Sequence, residues 1–362
     1  MSTIELKHAT KKYGDFVAAR DVDLSVKKGE VVCLLGPSGC GKTTTLRMIA
    51  GLERITSGEV IVAGQRMNDL PPEKRDIAMV FQFYALYPAL TVGQNIAMPL
   101  HYEKIGDAEI KKRVDKVAEI LHLGNVLNRL PGQVSEGEKQ RVAVARAIVR
   151  DPNCFLFDEP LSRLDVEQRH SMRGQIKQVL SNLSKATVIV THDQLEALTM
   201  ADRIAIMKDG IIEQIGTPHE VFAKPANVFV GSFIGTPQMN LVEAKLNKFE
   251  KGKASVNFDG QDIEITTNEL VGKLNSSKIT IGIRPRAFIA EAKASKENIQ
   301  AVAELIEPMG AETLVHARTK GGNDIRAVVP REKRVKVGEA LHLRPDPAQT
   351  HVFGEDGKAV RI

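Results

Sequence analysis

The stretch GPSGCGKTT, residues 36–44, decides the fold of this chain. It has the spacing G-x-x-x-x-G-K-[ST], follows the apolar run 31–35 and precedes a helical pattern that includes Leu46 and Ile49. This order predicts a strand, a glycine-rich loop and a helix. Glycines allow the loop backbone to turn its N–H groups towards phosphate oxygens, and the helix N-terminus adds partial positive charge. The sequence therefore predicts a phosphate-binding loop.

Two side chains of the loop have distinct predicted roles. Lys42 would reach the β- and γ-phosphates of a nucleotide, and the hydroxyl of Thr43 would bind Mg²⁺. The predicted nucleotide-binding loop consists of Gly36, Pro37, Ser38, Gly39, Cys40, Gly41, Lys42, Thr43 and Thr44.

Length and composition limit the classes of protein that this chain can belong to. Its 362 residues predict about two domains, because single cores stop growing at roughly 250–300 residues. Hydrophobic residues at 43% and charged residues at 26% are ordinary globular values, which argues against a disordered or fibrous chain. The net charge is only +5, aromatics are 4% and Trp is absent, so nucleic acid is not indicated as a partner.

The cysteines and the amino terminus indicate the compartment. Cys33, Cys40 and Cys154 have neither a disulfide-framework pattern nor metal-ligand spacing, which favours buried thiols in a reducing compartment. The first residues have no signal-peptide pattern, and no run of about 18 apolar residues occurs in the sequence. We therefore expect a cytosolic chain that does not itself cross a membrane.

Strand and helix patterns alternate up to about residue 207. Strand patterns at 31–35, 77–81, 154–158, 187–191 and 203–207 are separated by helical patterns, among them 107–130, 135–150, 166–183 and 193–201. Such a series predicts an α/β fold with a parallel sheet. From about 237 the pattern changes to short alternating segments separated by turns such as Asp259-Gly260, which predicts a small β-barrel or sandwich.

Polar groups follow the predicted strands at their carboxyl ends. Asp158 and Glu159 end one strand, His192 ends another, and Gln82 lies at the end of a third. Open α/β sheets bind ligands at this edge. There, Asp158 would hold Mg²⁺ through water, and Glu159 would polarise the attacking water as general base.

With these motifs, the chain resembles the nucleotide-binding subunits of ABC transporters, of the branch that powers sugar, maltose and glycerol-phosphate importers. The first part of the resemblance spans about 1–235, and the tail resembles the regulatory TOBE, or OB-like, domain of that branch. The residues that carry it are Tyr13, 36–44, Gln82, 134–141, 155–159, 162–165, His192, 281–285 and 351–353. It implies an ABC ATPase domain at 1–236 with a helical subdomain at about 89–150, and a β-rich regulatory domain at 237–362.

The resemblance also implies roles and partners. Tyr13 would stack on adenine, Gln82 would sense Mg²⁺ and the membrane partner, and His192 would contact the γ-phosphate and orient the water. Residues 83–90 would line a groove for a short helix of the transmembrane permease subunit. Two ATPase subunits would pair head to tail at the cytoplasmic face of the cell membrane, and a solute-binding protein would be an indirect partner.

The segment 134–138 departs from the family pattern. It reads Val-Ser-Glu-Gly-Glu, where the family usually has Leu-Ser-Gly-Gly-Gln. Acidic residues in a first helical turn stabilise the positive end that would otherwise bind a phosphate. In one interpretation, Ser135 and the Gly137 N–H still reach the γ-phosphate, Glu136 points to water, and Glu138 caps the helix and accepts from a ribose. In the other, the chain is weakly active and pairs with a second ATPase that has an intact signature.

Two other functions are compatible with the sequence to different degrees. A soluble ABC-type regulatory ATPase would usually have two cassettes or a long coiled-coil insertion, neither of which this sequence has. A signalling role of the β-rich tail is compatible with the importer function. Arg163, in the segment Ser162-Arg-Leu-Asp165, is a smaller departure without a predicted effect.

Overall fold

A computed structural model describes residues 2–103, 105–250, 253–266 and 277–360. The chain forms two compact units, Met1–Pro218 and His219–Ile362. Among the described residues, no helix is both long enough and apolar enough to span a bilayer.

The first unit is an α/β unit built on two sheets. Its strands are β1 (Ser2–Tyr13), β2 (Phe16–Lys27), β3 (Val31–Leu35), β4 (Ser57–Val62), β5 (Gln65–Arg66), β6 (Ile77–Val80), β7 (Cys154–Asp158), β8 (Ala186–Thr191), β9 (Arg203–Lys208) and β10 (Ile211–Gly216). Its helices are α1 (Lys42–Ala50), α2 (Val92–Tyr102), α3 (Asp107–Ile120), α4 (Glu136–Ile148), α5 (Val166–Leu183) and α6 (Gln194–Met200). The predicted alternating α/β series is confirmed.

The central sheet has the strand order β10-β9-β3-β8-β7-β6. From β9 to β6 all neighbours are parallel, with Leu35 opposite Thr191, Asp158 opposite Val190, and Val80 opposite Phe157. Strands β3, β7 and β8 are fully buried, as expected for a parallel sheet covered on both faces. The carboxyl ends of five strands, β9, β3, β8, β7 and β6, therefore lie side by side.

The predicted helix at 107–130 is too long. Helix α3 ends at Ile120, because His122 has a φ of 53°, in the left-handed region that terminates helices. A short 3₁₀ turn at Gly124–Val126 follows. Residues 92–148 are largely helical, since they contain α2, α3 and α4. These three helices contact one another.

The second unit contains two antiparallel five-stranded sheets. Its short helices are α7 (Pro218–Ala223) and α8 (Val228–Phe233), and its strands are β11 (Asn240–Glu250), β12 (Lys253–Phe258), β13 (Gln261–Thr266), β14 (Lys278–Ile283), β15 (Phe288–Glu291), β16 (Ile299–Pro308), β17 (Glu312–Thr319), β18 (Asp324–Pro330), β19 (Ala340–Pro345) and β20 (Thr350–Phe353). The strand orders are β13-β12-β11-β14-β20 and β15-β19-β16-β17-β18. Buried side chains of both sheets form one core. The expected β-rich fold of the tail is confirmed from β11 onwards.

Candidate functional site

The parallel register brings the predicted strand-end residues to one edge of the central sheet. The phosphate-binding loop follows β3, Glu159 follows β7, and His192 follows β8, which lies between those two strands. Strand β6 pairs with β7, so Gln82 lies beside the end of β7. Residues far apart in sequence thus meet because of the strand order.

Two glycines of the loop are required by close approaches of backbone. A Cβ at Gly36 would lie 2.3 Å from the carbonyl oxygen of Met207, and a Cβ at Gly41 would lie 2.3 Å from that of Ala18. Gly41 also has a φ of 100° and is the N-cap of α1. The tip of the loop, residues 37–39, is exposed. The predicted strand, loop and helix are confirmed.

Lys42 is folded back against the loop. Its ammonium donates to the carbonyl oxygens of Gly36 and Pro37, both at 2.9 Å, and lies 3.7 Å from the sulfur of Cys40. The ammonium is thus held at the centre of the loop, with carbonyl acceptors that an incoming anion can replace.

Thr43 and Asp158 form a pair of oxygen donors. The hydroxyl of Thr43 donates to Oδ1 of Asp158 at 3.1 Å. Asp158 is only 7% exposed, and burial raises the pKa of its carboxyl, as does the neighbouring charge of Glu159. A divalent cation beside the carboxylate would offset the free-energy cost of ionising it in this buried position. Hydroxyl and carboxylate oxygens are also ligands that Mg²⁺ prefers. The pair therefore fits the predicted magnesium site.

Glu159 is the meeting point of three strand ends. Its Oε2 accepts a hydrogen bond from Nε2 of Gln82 at 3.2 Å, and its Oε1 lies 3.2 Å from Nδ1 of His192. The residue has a φ of 47°, a conformation that non-glycine residues adopt only where their surroundings impose it. Its N–H donates to the carbonyl oxygen of Val190, and its own carbonyl oxygen accepts from the hydroxyl of Ser162.

Asp193 anchors the segment that presents His192. Its Oδ1 accepts from the N–H groups of Leu195 and Glu196, which caps α6, and its Oδ2 contacts Arg169 and Arg173 at 3.3 and 3.4 Å. Although burial opposes ionisation, the backbone donors and the arginines lower the pKa of Asp193. Asp193 was not among the predicted site residues, although its position directly before a helical pattern was an available signal.

Helix α4 begins with the predicted capping box, which is confirmed. The hydroxyl of Ser135 accepts from the N–H of Glu138 at 3.3 Å, and Oε2 of Glu138 accepts from the N–H and the hydroxyl of Ser135 at 2.7 and 2.9 Å. Glu136 does not simply point to water, because its Oε1 accepts from Lys139 at 2.6 Å. A Cβ at Gly137 would lie 3.2 Å from Oε1 of Gln168.

The start of α4 shares no hydrogen bond with the phosphate-binding loop in the part of the chain that the structure describes. Among the described residues, none of Ser135, Gly137 and Glu138 forms a hydrogen bond with residues 36–44. A contact missed by the sequence analysis lies further along this helix, where the buried amide of Gln140 donates to the carbonyl oxygen of Pro160.

Tyr13 lies at the end of β1 with 45% of its surface exposed. The ammonium of Lys11 is 4.6 Å from the centre of its ring and pairs with Glu53 at 3.0 Å. The ring is thus open for stacking and has a fixed cation beside it.

Two family models match separate parts of the chain. The model described as ABC transporter matches residues 19–162, and the model described as TOBE domain matches residues 281–353. The first match includes the loop and the end of β7, and the second lies within the β-rich unit.

Curated relatives match nearly the whole chain. The sn-glycerol-3-phosphate import ATP-binding protein UgpC of Bordetella avium is 44% identical over 350 residues, which are 96% of this chain and 95% of that protein. The trehalose/maltose import ATP-binding protein MalK of Thermococcus litoralis is 43% identical over 376 residues, with 99% of this chain and 100% of that protein covered.

A solved structure agrees with the fold. A dimeric post-hydrolysis state of the ATP-binding cassette MJ0796, bound to ADP and Pi, is 34% identical with a TM-score of 0.54, and the match covers 59% of this chain and 98% of that one. The alternatives of a partnering degenerate subunit or a soluble regulatory ATPase are not favoured by these relatives. The chain therefore belongs to the ABC transporter family, as an ATP-binding and ATP-hydrolysing subunit that energises an importer.

Proposed function

We propose that this chain hydrolyses Mg-ATP at the edge of its central sheet to drive the uptake of a sugar, polyol or glycerol phosphate. The observation that carries the catalytic part is the contact of Glu159 with both Gln82 and His192, next to the pair Thr43 and Asp158. The solute class rests on the names of the relatives, which are import proteins for glycerol 3-phosphate, trehalose and maltose.

The loop and Tyr13 would bind the nucleotide. Backbone N–H groups of residues 36–44 would surround the phosphates, and Lys42 would exchange its carbonyl partners for the β- and γ-phosphate oxygens. Tyr13 would stack on the adenine by the face opposite to Lys11.

Thr43, Asp158 and Gln82 would hold Mg²⁺, Thr43 and Gln82 directly and Asp158 through water. When bound, the ion would neutralise charge on the β- and γ-phosphates. The Asp158 carboxylate would supply negative charge at the ion, and the Thr43 hydroxyl an oxygen ligand. Both oxygens already lie together, which reduces the reorganisation needed on binding.

Glu159 would accept a proton from the attacking water, and His192 would orient that water and contact the γ-phosphate. Of the two carboxylate oxygens of Glu159, one accepts a hydrogen bond from Gln82 and the other contacts His192. Movement of either neighbour would therefore change the position of the base. The position of the Glu159 carboxylate, and with it its ability to accept a proton from water, would thus depend on Gln82. Gln82 is the residue expected to contact the membrane partner.

Two copies of the chain would close over two nucleotides, with Ser135, Gly137 and Glu138 of one copy against the nucleotide of the other. Support comes from the separation of this segment from the loop of its own chain and from the dimeric cassette structure. The permease subunits would dock at residues 83–90, on the cytoplasmic face of the membrane. We further propose that residues 1–236 are the ATPase domain and 237–362 the regulatory domain.

Uptake assays would test this function. Cells that express the chain with a permease pair and a solute-binding protein of this branch should accumulate labelled trehalose, maltose or glycerol 3-phosphate. The Glu159→Gln variant, expressed at the same level, should abolish uptake. Unchanged uptake with this variant would contradict the proposal.

A further inference from the structure

The segment that carries Gln82 leaves the central sheet at its edge. It follows β6, the outermost strand in the sheet order. The last register pair of β6 with β7 joins Val80 to Phe157, two residues before Gln82. A strand at the edge of a sheet has a neighbour on one side only. Pairing with β7 therefore does not fix the position of Gln82, although its amide contacts the carboxylate of Glu159.

A guanidinium and an aromatic ring join this segment to the loop after β7. The guanidinium of Arg163 lies over the ring of Phe83, with Cζ 4.0 Å from the ring centre. At that separation a cation is attracted to the face of an aromatic ring. Phe83 is 63% exposed, so the stack lies at the surface and burial in the core does not hold the ring. The stack thus links two segments that follow neighbouring strands.

Each partner of the stack directly follows a residue that contacts Glu159. Gln82, before Phe83, donates to Oε2 of the carboxylate at 3.2 Å. Ser162, before Arg163, donates through its hydroxyl to the carbonyl oxygen of Glu159 at 3.0 Å. The five residues therefore form a closed ring of contacts. One side of the ring contacts the side chain of Glu159 and the other side contacts its main chain.

The loop that presents Arg163 has buried anchors on both sides. Leu161 is 0% exposed and Leu164 is 3% exposed, and the N–H of Leu164 donates to the carbonyl oxygen of Leu161 at 3.2 Å. Arg163, between them, is exposed. A side chain on a fixed backbone loses less conformational entropy when it makes a contact than one on a mobile backbone. Arg163 can therefore act as the anchor, and Phe83 as the group that is anchored.

We propose that Arg163 is a positioning residue for hydrolysis, which holds Phe83 and thereby keeps Gln82 at its place beside Glu159. A displacement of about 1 Å in a reacting group can lower a rate substantially, so a contact two residues away from the base can affect turnover. The inference rests on the proposed role of Glu159 as general base.

Steady-state hydrolysis of Mg-ATP by the full chain tests the inference, with the Kd for ATP measured in parallel. Arg163→Gln, which removes the cation, and Phe83→Leu, which removes the ring, should each lower kcat about 2- to 5-fold and leave the Kd near the parent value. The double variant should lose no more than the larger single loss, because both changes remove the same contact. Arg163→Lys should retain most of the activity, since an ammonium also binds an aromatic face.

Two exposed residues provide matched controls. Arg20→Gln removes an exposed cation of β2, and Tyr102→Leu removes a ring of α2 that is 78% exposed. Each control should change kcat less than about twofold, as surface substitutions usually do.

Fluorescence reports the stack without any catalysis. The chain has no Trp, so Phe83→Trp introduces a single indole, the ring that binds cations best. Adding Arg163→Gln to Phe83→Trp should shift the emission, because the indole loses the guanidinium and faces water instead. Adding Arg20→Gln should leave the emission unchanged.

Some outcomes would overturn the inference and leave the ATP site as proposed. These are an unchanged kcat in Arg163→Gln or Phe83→Leu, a double loss equal to the product of the single losses, and an emission that does not respond to Arg163→Gln. If the parent does not hydrolyse ATP, or if Glu159→Gln hydrolyses it as fast as the parent, the proposed function itself is wrong and the inference falls with it.

Discussion

At the scale of single residues, Glu159 has the most constrained position in the site. Its left-handed backbone conformation directs the carboxylate between Gln82 and His192. Because its φ is unfavourable for a side chain with Cβ, the neighbouring strands must supply the energy that maintains it. Substitutions here that preserve shape should therefore isolate the chemical role.

Glu159→Gln should lower ATP hydrolysis by about 10²-fold or more and leave ATP binding intact, because an amide cannot accept the proton of the attacking water. Phosphate release by the purified chain measures the first quantity and a fluorescent ATP analogue the second. Glu119→Gln, at an exposed position on α3, is the matched control. Near-normal turnover would remove Glu159 from the role of base.

Lys42→Ala should lose most of the nucleotide affinity, because a cation at the centre of the loop is removed. Titration with an ATP analogue checks this result, and Lys28→Ala, an exposed residue after β2, is the control. Unaltered binding by the Lys42 variant would be incompatible with the assigned loop.

Asp158→Asn should raise the stability of the nucleotide-free chain and lower the further stabilisation that Mg-ATP gives. Burial raises the pKa of Asp158, so its ionised form disfavours the folded state at neutral pH. Removing that charge should therefore raise Tm. The further rise in Tm on adding Mg-ATP should become smaller. A lower Tm without nucleotide would contradict this account.

At the scale of elements, the start of α6 determines where His192 lies. Asp193 directly follows His192 and caps the helix, while two arginines of α5 contact its other oxygen. A seven-residue helix has little stability of its own, so its cap and its packing fix it.

Asp193→Ala should cost about 1–2 kcal/mol of stability through the lost cap, and lower kcat by up to about 10²-fold through displacement of His192. Thermal unfolding and steady-state hydrolysis measure the two effects. Thr91→Ala removes the cap of α2 and should lower stability alone. Equal hydrolysis in both variants would argue against a positioning role.

The same cap has a predictable pH dependence. The pKa of Asp193 is lower in the folded chain than the usual value of about 3.9 for an unfolded one. Its stabilising contribution is therefore fully present above about pH 4 and is lost as the pH falls through the folded-state pKa. Asp193→Asn should make the stability of the chain less sensitive to acid below about pH 4, as measured by Tm against pH.

At the scale of the whole molecule, the predicted catalytic residues of one chain lie at one edge of the central sheet, whereas the start of α4 forms no hydrogen bond with residues 36–44 among the described residues. Under the proposed pairing of two chains, a second copy would complete each site, so hydrolysis per chain should rise with protein concentration. A Mg-ATPase assay over a wide range of chain concentrations measures this. Strictly constant activity per chain would favour a site that is complete in the monomer.

The sequence by itself determined much of the fold and indicated the candidate site residues. Glycine spacing, apolar runs of strand length and helix caps are local patterns, so the loop at 36–44, the α/β series and the β-rich tail were predicted correctly. Polar residues directly after apolar strands identified Gln82, Asp158, Glu159 and His192 as candidates. Boundaries were less well determined, as α3 illustrates, because a helix end depends on backbone conformations such as that of His122.

Only the tertiary structure decided which of these groups touch. The strand order places β8 between β3 and β7, and no local pattern encodes the resulting contacts of Glu159 with Gln82 and His192. Nor does a local pattern indicate that Arg163 would stack on Phe83, since these residues lie 80 positions apart in the chain. Such contacts depend on distance in space, and the packing of the sheet and helices sets that distance.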